Sequence, residues 1–359
     1  MSTNTCHQAA IHNHFDVLKW AHENGCRWDT NTCLGASKAG NLEMLQWARS
    51  QGCPWDATTC SAAASSNHFE ILKWAREKGC PMSGDTCAGA ASAGNLDMLK
   101  WARNKRCPWD ASTCSAAARG GHLAVLQWAR ENGCQWNPST CLAAAAQGGH
   151  LHVLKWAHEN GCPWSAQTCT AAAETGHLEL LQWAREKGCP WNIGVTIGAA
   201  QGGHLEMLKW ARENGCPWDS RICSIAAEHG HLEVLKWAVA NECPWNRGAV
   251  LGAAKGGHLE LLLWARENGC PWDPQTSVWA ASYGHLELLK WAHGHGCHCD
   301  EDTCLAAAEG GHLSVLKWLR ANGCPWDSQT CHAAESEGHL DVLQWARDNG
   351  CPDSDEESD

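Results

Sequence analysis

The chain has 359 residues and a formal net charge of −12, with 24 Cys and 24 Trp beside one Tyr and two Phe. An acidic balance with no Lys/Arg stripe argues against nucleic acid as the main partner. No apolar run reaches membrane-spanning length, so no membrane partner is expected either.

In chain order, the tryptophan of a Leu-Lys/Gln-Trp triplet recurs at Trp20, Trp47, Trp74, Trp101 and Trp128. It continues from Trp156 to Trp345 at the same 27-residue spacing, after a single 28-residue step between Trp128 and Trp156. A fixed period of this length signals stacked supersecondary units sharing one continuous core. Thirteen copies fill the chain, giving an expected single repeat domain over residues 1–351. The remainder, residues 352–359, holds five acids and no apolar side chain, and is expected to be a disordered tail.

The fifth repeat, Asp110 to Cys134, serves as the template. Asp110 is suited to cap a helix, because its carboxylate can accept from the free amides of the first turn. Asp56, Asn137, Ser165, Asn192, Asp219, Asp273 and Asp327 occupy the same place. An alanine-rich helix is expected over about 111–119, closed by Gly120-Gly121. His122 opens a second helix whose apolar stripe is Leu123, Val125, Leu126, Trp128 and Ala129. Gly133 sits where a left-handed cap ends that helix, and Cys-Pro-Trp-Asp turns lead to the next cap. The fold class is therefore all-α, a helical solenoid of thirteen stacked helix–turn–helix repeats. No repeat can bury its stripe alone, so stability must come from stacking.

The stretch Ala226-Ala227-Glu228-His229-Gly230-His231-Leu232-Glu233-Val234-Leu235-Lys236 resembles the helix–turn–helix of an ankyrin repeat. Gly-Cys-Pro-Trp-Asp takes the place of that family's Gly-Ala-Asp-Val-Asn. The period here is shorter than the usual ankyrin length of about 33, and the missing residues fall where ankyrin proteins carry a β-hairpin finger. Thr-Cys also replaces the Thr-Pro-Leu-His signature. Such short, Trp- and Cys-rich units are similar to ankyrin-like arrays of large DNA viruses and of some algae and oomycetes. The resemblance implies a protein–protein interaction scaffold whose groove, with fingers shortened, is lined by the first helices.

The cysteines, without a signal-peptide core in MSTNTCHQAA, point to a reducing compartment: the cytoplasm, or that of a host cell or its nucleus if the chain is viral, and not secretion. Their C-x6-C spacing lacks any C-x2-C zinc pair. The helix position also accepts Thr196, Val250 and Ser277, which suits a small buried slot better than a ligand. Histidine at the Gly-His junction alternates with Asn41 and Asn95, which fits a turn-bracing role. Both tryptophan columns, at Trp128 and at Trp109, are expected in the core.

Repeat eleven departs from the template. Trp279 and Tyr283 enter its first helix, and its end reads His293, His295, Cys297, His298 and Cys299. Those side chains could hold a soft or borderline divalent ion. No phosphate-cradling loop, HExxH or nucleophile elbow is present, so no enzyme and no cofactor are expected. The reading is a non-enzymatic, monomeric scaffold that binds a protein on the first-helix face. Arg119, Glu174, Gln201, Glu228, Lys255, Trp279, Tyr283 and Glu309 are the expected contacts, because they vary while their neighbours repeat. Alternatives are a metal-binding or thiol-redox protein using residues 293–299, or a passive spacer.

Overall fold

In a computed structural model of the chain, residues 3–352 other than Gln147 are described. The expected acidic tail lies, beyond Pro352, outside them. The described residues form twenty-six α-helices and no strand. They pair into thirteen helix–turn–helix repeats of the kind the periodicity predicts. The chain divides into two compact bodies, Met1–Trp191 with repeats one to seven and Asn192–Asp359 with repeats eight to thirteen.

Local chemistry sets the helix ends. In repeat five the helices run Ala111–Arg119 and Leu123–Glu131. The Asp110 carboxylate accepts from the Ser112 amide at 2.8 Å, and hydrogen bonding from Ser112 holds that carboxyl below its usual range. Asn192, Asp219 and Asp273 accept in the same way from Gly194, Arg221 and Gln275. Ser165 makes no side-chain cap bond, contrary to expectation. The second helices end at a residue with positive φ, Gly133 at +85° among them. Arg106 and Glu242 replace that glycine yet keep the conformation, both at φ +61°. The turn geometry is thus imposed by packing, at a local cost in strain. The extra residue of repeat six is absorbed between its helices, where the His150 amide donates to Ala144 six residues back rather than five.

The first helices pack backbone to backbone, which explains their alanine and glycine. A Cβ on Gly89 would lie 2.9 Å from the Ser65 amide nitrogen, and one on Gly252 only 2.3 Å from the Ser224 carbonyl oxygen. The second helices bury Val125, Leu126 and Ala129 and their equivalents. The tryptophans are not core, and this corrects the sequence reading. Trp128 and Trp109 are both half-buried, and Trp20 is 52% exposed. At 100° per residue Trp128 sits roughly 110° round the helix from the centre of the buried set, on the flank of the stripe. There the rings build a ladder within each body. Arg103 stacks on Trp109 at 4.1 Å, and Trp109 meets Trp128 edge-on at 5.8 Å. His22 and His158 replace the arginine over Trp28 and Trp164.

In most repeats the cysteines pair across the repeat instead of along the C-x6-C spacing. Cys33 lies against Cys53, Cys60 against Cys80 and Cys114 against Cys134, all buried and none disulfide-bonded. The turn thiol also donates to the carbonyl beside the first-helix cap, as Cys134 does to Asp110 at 3.1 Å. Where the helix cysteine is missing, Thr196 and Ser277 donate instead to the Pro217 and His298 carbonyls.

Candidate functional site

The first-helix face carries the expected contact residues, and its constancy comes from the backbone beneath them. In most repeats the junction histidine donates from Nε2 to the last-turn carbonyl of the preceding first helix. His150 reaches the Arg119 oxygen at 3.1 Å, His258 that of Glu228 at 3.1 Å, His285 that of Lys255 at 3.0 Å and His339 that of Glu309 at 3.0 Å. The lock uses the main chain alone, so the side chains at these positions are free to vary. The expected turn-bracing histidine is found, and its brace runs between repeats.

In the N-terminal body this face holds a shallow groove of about 450 Å³. It crosses the first helices of repeats two to five. Ala62, Gly89 and Ala116 lie in its floor, with Ser61, Ser65 and Ser92 beside them. Arg119 lines it, as do Lys38 and Asp85, which sequence reasoning did not single out. Glu174 is exposed at the end of the repeat-seven first helix.

In the C-terminal body four of the expected residues come together. Lys255 Nζ lies 2.6 Å from Glu228 Oε1, and that bond lifts the lysine above its ordinary range. The same ammonium stands 5.9 Å from the Trp279 ring, which lies 6.0 Å from Tyr283. Trp279 and Tyr283 are 37% and 46% exposed, among the few large apolar side chains open to solvent. Tyr283 is the cap residue, one place beyond the register of Lys255 and Glu309, which Ser282 fills. Gln201 and Glu309 are exposed at neighbouring helix ends and join no such cluster.

The middle of this face is a mixed row. Leu34 and Leu142 in the N-terminal body and Ile197, Leu251, Val278 and Leu305 in the C-terminal one are half-exposed there, while Ser61, Ala88 and Ser224 hold the same register in other repeats. Comparing residues at 27-residue intervals reveals that row; reading one repeat at a time hides it.

The His/Cys cluster of repeat eleven disperses. Cys299 Sγ approaches His293 Nδ1 at 3.7 Å, the two replacing the arginine–tryptophan stack of other repeats. His295 instead stacks on Trp291 at 4.1 Å and donates to its carbonyl. Cys297 is buried, and burial pushes its thiol up to about 11. His298 points to solvent while its carbonyl accepts from Ser277. Among the described residues no group of three or more His, Cys, Asp or Glu could hold a metal. None of their helices is long and apolar enough to cross a membrane.

A family model described as ankyrin repeats (many copies) matches residues 6–49 and 277–320. Among solved structures, the chain is similar to the pentatricopeptide repeat protein PPR10 in complex with an 18-nt psaJ RNA element. That likeness has 14% identity and a TM-score of 0.42, covering 97% of this chain and 63% of PPR10. The human ASB11 ankyrin repeat domain is similar at 19% identity and a TM-score of 0.37, over 44% of this chain and 84% of that one. The chain thus spans a little under two thirds of the length of PPR10. No curated protein matches it. The fold is a helical repeat solenoid with ankyrin-like helix–turn–helix units.

Proposed function

We propose that this chain is a non-enzymatic scaffold that receives a protein partner on its first-helix face. The observation that carries the reading is the groove over repeats two to five, lined by Arg119 and set on backbone that the histidine locks hold constant. Rigid main chain with variable side chains is what a recognition surface requires. The Trp279–Tyr283–Lys255 cluster supplies aromatic and cationic anchors of the type that dominates interface energetics. We read residues 1–351 as one repeat domain working in a reducing compartment, where its 24 cysteines stay reduced as thiols.

Affinity capture from a reducing lysate tests this. The natural chain is compared with one in which Arg119, Glu174, Gln201, Glu228, Lys255, Tyr283 and Glu309 carry the commonest residue of each register. A partner retained only by the natural chain supports the reading. Equal capture by both removes the proposed face.

A further inference from the structure

The groove in the N-terminal body has a charge pattern that names a class of occupant. Lys38 and Arg119 end the first helices of repeats two and five, on one rim and in the same register. Ser65 and Ser92 hold that register between them. Both cations are exposed, and neither enters an ion pair among the described residues. Asp85 stands at the start of the repeat-four first helix, on the opposite rim, its carboxylate accepting only from Ser83 Oγ at 3.4 Å. The groove therefore offers positive, negative and positive charge in that order along its length, with the negative charge across from the other two.

From this we infer that the groove binds an extended segment of a partner protein bearing two acidic residues on one side and a basic residue between them on the other. The inference rests on the scaffold reading above. Three helix-to-helix steps of about 8–10 Å place the two cations roughly 25–30 Å apart. An extended chain rising ~3.3 Å per residue covers that span in about eight residues. A helical segment advances only ~1.5 Å per residue and would need about eighteen. The floor of Ala62, Gly89 and Ala116 leaves room for main chain to lie close. The helix C-termini along the cationic rim carry partial negative charge that opposes an acid. Their last-turn carbonyls already accept from His68, His122 and His150, which blunts that opposition.

The test is selection of a random displayed peptide library on the full chain in reducing buffer. The natural chain is expected to enrich Asp or Glu at two positions about eight residues apart, with Lys or Arg between. Lys38→Glu with Arg119→Glu is expected to enrich Lys or Arg at those two positions, and Asp85→Lys to replace the central base by an acid. For an enriched peptide, Lys38→Ala with Arg119→Ala should weaken binding about three- to tenfold, the scale of two exposed ion pairs. Enrichment that ignores these reversals overturns the inference while leaving a scaffold in place. No enrichment on any form overturns it as well. Failure of the lysate capture, by contrast, counts against the scaffold reading itself.

Discussion

Asn95 Nδ2 donates to Asn67 Oδ1 at 2.8 Å, across the boundary between repeats three and four. Asn67 occupies a left-handed turn position, φ +62°, where most repeats have glycine. Asn41 repeats the arrangement with Asn13 at 2.8 Å. Where the turn residue is glycine, the next repeat has histidine instead, and its ring lies over the bare Cα. A Cβ on Gly94 would fall 2.6 Å from the His122 ring, and one on Gly230 2.6 Å from that of His258. The chain thus uses two interchangeable couplings between repeats, asparagine with asparagine and glycine with histidine. Asparagine tolerates the left-handed region and can hydrogen-bond sideways. Histidine needs the empty space and in return reaches a carbonyl.

This pairing predicts a strong double-mutant effect. Gly94→Asn should cost about 1–3 kcal/mol, from a side chain driven into the His122 ring at positive φ. Gly94→Asn with His122→Asn should recover most of that loss, with a coupling of at least ~1 kcal/mol. Urea unfolding of the single and double variants measures it. Additive losses would show that the two residues do not act as a pair.

The two kinds of tryptophan should separate in the same assay. Trp47 is held by Phe15, His22 and Trp28, with ring centroids 5.6–5.8 Å away. Trp47→Ala is expected to cost about 2–4 kcal/mol, somewhat below a fully buried ring. Trp279 stands where most other first helices have glycine or alanine, as at Gly252, and keeps 37% of its surface. Trp279→Ala should change stability by less than ~1 kcal/mol while reducing capture of the partner. A large loss of stability in that variant would make Trp279 a packing residue.

Much of this architecture was legible because the chain repeats its own signals. The Asp110 cap and the Gly120-Gly121 break placed the first helix of repeat five, and His122 and Gly133 bracketed the second. What failed was depth. Hydrophobic periodicity places Trp128 on an apolar stripe but cannot tell its centre from its flank, and only the neighbouring repeat's rings decide that. The cysteine pairs were missed for a related reason. Cys114 meets Cys134 across the helix hairpin, so the short C-x6-C spacing was the wrong one to inspect. Arg119 was found through its variability. Lys38, in the same register, escaped because its partner in the groove lies three repeats away.

Cys299 should be the first thiol to label in the folded chain. It is half-exposed, whereas the other described cysteines are buried. Its hydrogen bond to Cys324, together with burial, pushes its thiol up, so labelling at neutral pH should be slow even there. Under native conditions a thiol reagent is expected to modify Cys299 first and denaturant to expose the remainder, read by mass spectrometry. Cys299→Trp with His293→Arg should abolish native labelling and add roughly 0.5–1 kcal/mol by restoring the cation–π stack of the other repeats. Rapid labelling of many cysteines without denaturant would mean that the repeats open locally.

Alkaline pH should weaken the fold through its buried thiols. Burial pushes Cys6 and Cys351 up to about 12 and Cys297 up to about 11, from an ordinary value of 9.0. A raised pKa in the folded chain means that the folded form holds the proton more tightly than the unfolded one. The stabilisation is complete below the unfolded value and is lost as pH rises from about 9 through about 12. The melting temperature should accordingly be flat near neutrality and fall increasingly above about pH 9. Lysine titration in the same range is controlled for by replacing Cys6, Cys297 and Cys351 with alanine. That variant starts from lower stability, but its melting temperature should decline less steeply with pH than that of the natural chain. Equal slopes would assign the alkaline loss to groups other than these thiols.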